Sequence, residues 1–492
     1  MGQPLASTIE PAIPAPLAAP SAAVPQTGDE AILAQPVGRV PWWLIAPLAL
    51  APIVLAVLQL GRWHPDEVYQ FLEPAWFRVH HYGVRAWEWQ VGLRNWAVPL
   101  VFASFLELAR WLGIEHPQAY RAAVALPQLL LHAAMLVATY RYVERRVSRS
   151  GPGAIAIGFL LVASFAPILY LAGRTMGESL SAAFLVLACD ALDRPEQTYR
   201  RGVFGGAFLG FATVARYGSA AFVLGALAWL ALRGRWRALV AACLGGTIVA
   251  AGLGVLDWLT WGRPFHSLLA YLDFNLFSQR AAQQFGALPL GYYLPLLALW
   301  LAPWVWPGIA AAWRRERFVP LPAFASLAYL AALSATPHKE DRFLYPALVL
   351  MALAGAPGVV WLVDRVRAVS WRALAIAAAL AAGSITWAVM PDVRGDQFRA
   401  EVSATRDPAA TGLLIVNEGR WGSGGYFYIG RNIPWYNCDF PEHALRIVQA
   451  DPRVNRAITF EGRAIPELES AGFQIVERIG RETILARRIS GR

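Results

Sequence analysis

Eleven apolar stretches punctuate this chain, at about 40–60, 117–141, 152–172, 175–192, 203–215, 218–232, 238–258, 289–311, 318–335, 343–363 and 372–390. Runs this long and this uniformly apolar predict membrane-spanning helices rather than soluble amphipathic ones. The fifth and sixth are short and meet at Ala215-Arg216-Tyr217-Gly218, the pattern of a pair that does not fully span. Two regions follow a different rhythm. Residues 61–116 are polar and aromatic, with amphipathic stretches at 67–80 and 93–111, and read as a long loop with two helices lying on the membrane surface. Residues 392–492 alternate short apolar and polar segments. They predict strands at 413–416, 426–429 and 457–460, helices at 441–450 and 464–471, and a terminal strand pair at 473–479 and 483–487. Residues 1–38, rich in Ala and Pro with almost no charge, read as a disordered tail and not as a signal peptide. The predicted architecture is a polytopic α-helical membrane domain over 39–391, followed by a small soluble α/β domain over 392–492.

Composition agrees: 57% of residues are hydrophobic and 15% charged, against about a quarter charged in soluble domains. The net charge of +10 would suggest nucleic acid in a soluble protein, but here arginines concentrate in short loops between apolar runs. The loops at 141–149, 194–201, 233–237, 314–317 and 365–372 all fall on one side when eleven runs alternate. The positive-inside rule makes that side, and the N-terminus, cytoplasmic. Nucleic acid is therefore not an expected partner. Tryptophans at run ends (Trp42, Trp43, Trp63, Trp258, Trp261, Trp371, Trp387) predict an interfacial aromatic belt. Three cysteines without pairing or Cys/His spacing support neither a disulfide framework nor a zinc site.

The opposite face collects mixed acid and base motifs. His64-Pro65-Asp66-Glu67 follows the first apolar run, with Glu73 and Glu88 further along the same loop. A helix N-terminus explains one acid there, but not the His before the Pro or the later acids. A carboxylate at a membrane rim loses solvent, which raises its pKa and suits it to general-base work. His338-Lys339-Glu340-Asp341-Arg342 contains the only lysine of the chain. Snorkelling would need neither the His nor the two acids. A point charge, a forked guanidinium and an imidazole together suit an anionic leaving group such as a phosphate. Arg174 and Glu178 have i, i+4 spacing, which a structural ion pair explains equally well. Arg216, where the two short runs meet, is placed to bind phosphate or to anchor the bend. Asn275 lies in an aromatic outer loop suited to lipid tails and sugar faces. Gly422-Ser423-Gly424-Gly425 reads as a turn, because no helix is predicted after it and a phosphate cradle would need one.

These residues resemble glycosyltransferase family 22, the α-mannosyltransferases that use dolichyl-phosphate mannose in N-glycan and GPI-anchor assembly. The resemblance rests on His64-Pro65-Asp66-Glu67 followed by Gln70 and Glu73, then Trp87-Glu88-Trp89 with Arg94. Phe274-Asn275 with Tyr292-Tyr293, and His338-Lys339-Glu340-Asp341-Arg342-Phe343, complete it. It covers roughly 41–390. Asp341 stands where Glu is usual, and Asn95 where Ser often follows the Arg. The resemblance implies a GT-C fold with its active site at the outer face. It implies a polyprenyl-phosphate sugar donor, a lean to mannose, a glycan or glycolipid acceptor, and inversion at the anomeric carbon. Asp66 would be the base, with Glu67 the second candidate. His338, Lys339 and Arg342 would hold the departing lipid phosphate, and Arg216 joins the phosphate-binding candidates from its place at the bend. His64, Glu73, Glu88, Arg94, Arg174, Asn275 and Glu340 complete the candidate set as substrate-binding residues. With fixed cations present no metal is required, although the acid pair could bind a divalent cation. The arginine-rich, lysine-poor composition predicts a bacterial inner membrane. The competing class, a transporter or lipid flippase, predicts mid-membrane charge and inverted repeats, and the sequence has neither. A scaffold would leave the acid and base motifs without a purpose.

Overall fold

The computed structural model describes residues 40–365, 391–416, 419 and 421–488. The predicted tail at 1–38 and the run at 372–390 lie outside them. The described chain is mostly helical. Three helices, Pro117–Ser150, Trp236–Trp261 and Asp341–Arg365, are long and apolar enough to cross a membrane. Trp42–Leu58, Pro152–Ala163, Tyr217–Leu232 and Leu321–Ala335 are shorter apolar helices.

Two predicted spans differ from expectation. The run at 289–311 is broken: Leu290–Trp300 and Val305–Glu316 meet at 97°. Pro303 lies in the break, where a missing N–H and a fixed φ prevent continuation. The run at 152–172 also divides, into Pro152–Ala163 and Ala166–Leu171, with Pro167 just inside the second piece. The short pair is present as Tyr199–Ala215 and Ala220–Leu232, joined by a turn at Tyr217–Ser219. Small residues let Tyr199–Ala215 approach the long helix Trp236–Trp261 closely, as membrane helices require where water does not drive association. A Cβ on Gly206 would lie 1.9 Å from the Ala242 carbonyl oxygen, and one on Gly245 would lie 1.9 Å from that of Val203.

The arginine-rich loops gather at one end. Arg145 pairs with Asp190 at 2.5 Å, Arg146 with Asp193 at 2.5 Å and with Glu316 at 3.1 Å, and the Trp361 indole donates to the Arg146 carbonyl. The helix Gly177–Leu192 links this end to the other, with Glu178 in its first turn and Asp190 in its last.

Beyond Pro391 a five-stranded sheet forms, in the order β2-β1-β3-β5-β4. Its strands are β1 (Leu413–Val416), β2 (Trp435–Cys438), β3 (Arg456–Thr459), β4 (Gln474–Ile479) and β5 (Glu482–Ala486). β1 pairs in parallel with β2 and β3, and β5 is antiparallel to β3 and β4. Alternation sorts the side chains: Leu413 and Ile415 pack with Ala400 and Ala404 of the Gly395–Arg406 helix, while Leu414 and Val416 pack with Val448 and Leu468. The predicted strand at 426–429 is instead a helix, Gly425–Ile429, closed at both ends by left-handed glycines, Gly425 (φ 63) and Gly430 (φ 70). A helix therefore does follow the Gly422–Gly425 segment, contrary to expectation, though it is only five residues long. β2 and the Gly395–Arg406 helix were not predicted.

Candidate functional site

The motif His64–Glu67 sits on a turn shaped by its own acid. Glu67 Oε1 accepts from the backbone N–H of Trp63 (2.6 Å) and of His64 (3.3 Å), and Thr175 donates to the Glu67 carbonyl. A π-helical segment, Glu67–Leu72, then begins; such segments often accompany functional sites. Glu67 is thereby committed to the loop, and Asp66 beside it faces a cavity of about 700 Å³.

The second motif meets the first across this cavity. Arg342 Nη2 lies 2.7 Å from Asp66 Oδ2, and His64 Nε2 lies 3.4 Å from Glu340 Oε2. Glu340 also binds His338 Nε2 (3.1 Å) and Arg342 Nε (2.7 Å). Gln70 donates to the same Asp66 oxygen. The main new member is Glu178, whose Oε1 binds Arg216 (2.6 Å) and Arg342 (3.4 Å). Its predicted partner Arg174 does not reach it, because the helix starts at Gly177 and leaves Arg174 before the first turn. Arg174 donates instead to the Gly61 carbonyl (2.5 Å) and Gln59 (3.1 Å).

The remaining candidates divide. His64, Asp66, Glu88, Arg94, Arg216, Asn275, His338, Glu340 and Arg342 line the cavity. Arg94 and Glu88 form a two-pronged pair at 3.2 and 2.6 Å, Asn275 donates to the Tyr271 carbonyl, and Arg216 lies 4.2 Å over the Phe343 ring. Glu67, Glu73, Arg174 and Lys339 are not on the cavity wall. The Lys339 ammonium is spent on the carbonyls of Leu288 (3.1 Å) and Thr336. Glu73 accepts from the backbone of Val84 (2.7 Å) and Phe427 (2.6 Å) and so ties the first loop to the C-terminal region. Trp63 and Trp261, predicted as belt residues, support the site instead: Trp63 packs edge-on against Tyr170, and Trp261 donates to the Arg94 carbonyl. Trp42, Trp43 and Trp258 are exposed as a belt requires.

The electrostatics overturn one expectation. Burial does push Asp66 up, but the Arg342 guanidinium, with His64, outweighs it and holds the carboxyl well below the usual range. Glu340 behaves alike: burial raises it, while the His338 and Arg342 contacts bring it down to about 2. Asp66 and Glu340 are thus held as anions, each partnered by an arginine and a histidine. The rest of the wall is largely apolar and aromatic, with Leu93, Ala221, Tyr271, Phe274, Phe285 and Leu333 among its residues. Among the described residues, no group of three His, Cys, Asp or Glu side chains is placed to hold a metal ion.

The chain belongs to the Alg9-like mannosyltransferase family, whose model matches residues 42–391, and is accordingly a multi-pass membrane protein. It is 28% identical over 337 residues to GPI mannosyltransferase 3 of Yarrowia lipolytica, covering 66% of this chain and 63% of that protein. Against alpha-1,2-mannosyltransferase alg9 of Schizosaccharomyces pombe the identity is 26% over 326 residues, 60% of this chain and 54% of the relative. In both, the match spans less than two thirds of the relative's length. ArnT from Cupriavidus metallidurans, solved bound to undecaprenyl phosphate, is 12% identical and superposes with a TM-score of 0.61, covering 92% of this chain and 99% of that one. The fold is therefore of the GT-C type. Both relatives by sequence are eukaryotic, which gives no support to the bacterial placement predicted from arginine content.

Proposed function

We propose that this protein moves mannose from a polyprenyl-phosphate donor to a hydroxyl of a glycan or glycolipid, with inversion at the anomeric carbon. The observation that carries the reading is the 2.7 Å contact between Asp66 and Arg342, which joins the two outer motifs in an otherwise largely apolar cavity. The donor phosphate competes with Asp66 for Arg342 and takes up Arg216 and His338 as further partners. Asp66, released from its cation, accepts the acceptor hydroxyl proton. The acceptor oxygen bonds to the anomeric carbon as the bond from that carbon to the phosphate oxygen breaks. Polyprenyl phosphate leaves with the electron pair, and the cations stabilise its charge. Glu178 holds Arg216 and Arg342 near the phosphate. Glu88, Arg94, His64, Glu340 and Asn275 shape the sugar site. The fixed arginines neutralise the phosphate charge that a metal would otherwise neutralise.

The clustering of arginine-rich loops at one end, remote from the cavity, supports a cytoplasmic N-terminus and an active site on the opposite face of the membrane. We further propose eleven apolar runs in the membrane, the short pair at 203–215 and 218–232 not crossing it fully, and a division into 1–38, 39–391 and 392–492, with the last on the active-site side. The test is sugar transfer in proteoliposomes with polyprenyl-phosphate mannose and a membrane lipid extract, wild type beside Asp66→Asn. Release of polyprenyl phosphate by wild type, reduced by about 10²–10⁴ in the variant, is expected. Equal release by both would remove Asp66 as the base. No release by wild type, with donor bound, would remove the mannose donor or the transfer reaction itself.

A further inference from the structure

The cavity wall contains one residue that the family match does not cover. Among the described lining residues Trp421 alone lies C-terminal to 343, and it belongs to the segment between β1 and the Gly425–Ile429 helix. Its ring packs edge-on against Tyr69, centroids 5.1 Å apart and planes at 72°; Tyr69 is also a lining residue, three positions from Asp66.

The backbone around Trp421 is held by an unusual density of buried polar groups. Arg62 donates to the Trp421 carbonyl at 2.5 Å and to that of Gly422 at 3.5 Å. Gln397 donates to the Gly422 carbonyl at 3.0 Å. The Tyr69 hydroxyl reaches the Ser423 carbonyl at 3.0 Å, and Glu401 accepts from the Gly424 N–H at 3.0 Å. Arg62, Gln397 and Glu401 are all buried. These tethers come from two directions, the first outer loop and the Gly395–Arg406 helix. A side chain that only filled space would not need its backbone fixed from both sides. Such fixing is what a recognition surface needs to avoid an entropic cost on binding.

We propose that Trp421 is the stacking platform for the terminal sugar of the acceptor glycan, so that the C-terminal region sets acceptor specificity. The inference rests on the transferase reading above. A pyranose ring has one face of C–H groups that is apolar and weakly positive, and the indole face is broad and electron-rich. A lipid-borne donor enters among the apolar helix residues, Phe274, Phe285 and Leu333 among them. Trp421 belongs to the sheet-bearing region and meets what arrives from the aqueous side. Asp66 lines the same cavity as Trp421 and these apolar residues, where a base acting on the acceptor hydroxyl would be needed.

The test is steady-state transfer from polyprenyl-phosphate mannose to octyl α-mannoside by the full chain, for wild type, Trp421→Leu and Trp421→Phe, with polyprenyl-phosphate binding measured in parallel. The expected result is an acceptor KM raised roughly 3- to 10-fold in the Leu variant and near wild type in the Phe variant. Donor KM and polyprenyl-phosphate binding stay unchanged in both. An unchanged acceptor KM in Trp421→Leu overturns the proposal. So does a parallel loss of donor binding, which would make Trp421 a structural plug. Absence of transfer by wild type to both octyl α-mannoside and lipid extract would instead remove the transferase reading.

Discussion

Asp66 and Arg342 show how one contact reverses a local argument. Rim burial alone makes Asp66 a stronger base, but the guanidinium at 2.7 Å makes it a weaker one. In the proposed mechanism the base is then masked until a competing anion takes Arg342. This has a kinetic consequence. kcat/KM for the donor reports the free enzyme and kcat the bound complex. Donor phosphate removes the cation from Asp66 and adds negative charge beside it, so its pKa rises in the complex. The acid limb of the kcat profile is expected at higher pH than that of kcat/KM; coincident limbs would show that Arg342 never leaves Asp66. At this scale the two motifs were legible, because acids and bases at the ends of apolar runs have few structural explanations. Glu178 was legible only as the i, i+4 neighbour of Arg174. Its partners depend on where its helix starts, and a start at Gly177 excludes the i, i+4 pair with Arg174.

At the scale of elements, the close helix pair Tyr199–Ala215 and Trp236–Trp261 relies on missing side chains. Gly245→Val would drive a Cβ into the Val203 carbonyl, now 1.9 Å from that position. Overpacking of this kind costs about 1–3 kcal/mol, and a lower melting temperature in detergent is the expected readout, with Gly252→Val, which meets nothing within 4 Å, as the neutral control. The Gly395–Arg406 helix carries a second test. Burial raises Glu401 to about 8, against the opposing hydrogen bonds of Gly424 and Gln397. An acid raised in the folded state gives stability that is complete below its unfolded pKa and is lost as pH rises through the folded one. Thermal stability is therefore expected to fall from about pH 4.5 to about pH 8, and Glu401→Gln should flatten that slope. An unaltered slope in the variant would assign the pH dependence elsewhere. Burial raises Glu73 too, to about 7, so some slope is expected to remain. The elements misread from sequence share a cause: Pro303 and the left-handed Gly425 and Gly430 act on the chain path, and an average over apolar residues does not register them.

At the scale of the molecule, the site is assembled from segments distant in the chain, and its charged groups are paired with one another within the protein. Arg94, Arg216 and Arg342 face Asp66, Glu88, Glu178 and Glu340, with His64 and His338 among them. In the proposed mechanism the arginines supply the cations for the leaving phosphate, so EDTA is expected to leave the transfer rate unchanged. Loss of activity on chelation, restored by Mg²⁺ or Mn²⁺, would show that a metal supplements the arginines.

By itself the sequence determined the apolar runs, the sorting of arginine-rich loops from mixed acid and base motifs, and the identity of those motifs. These are local properties, readable from composition and spacing over a few tens of residues. Only the tertiary structure decided that Arg342 holds Asp66, that Glu178 bridges two arginines, that Lys339 and Glu73 turn away from the cavity, and that Trp421 closes its wall. The physical reason is that ion pairs and cavity walls form between segments that helix packing brings together. In a buried site one such neighbour at 2.7 Å outweighs what the local sequence implies about a charge.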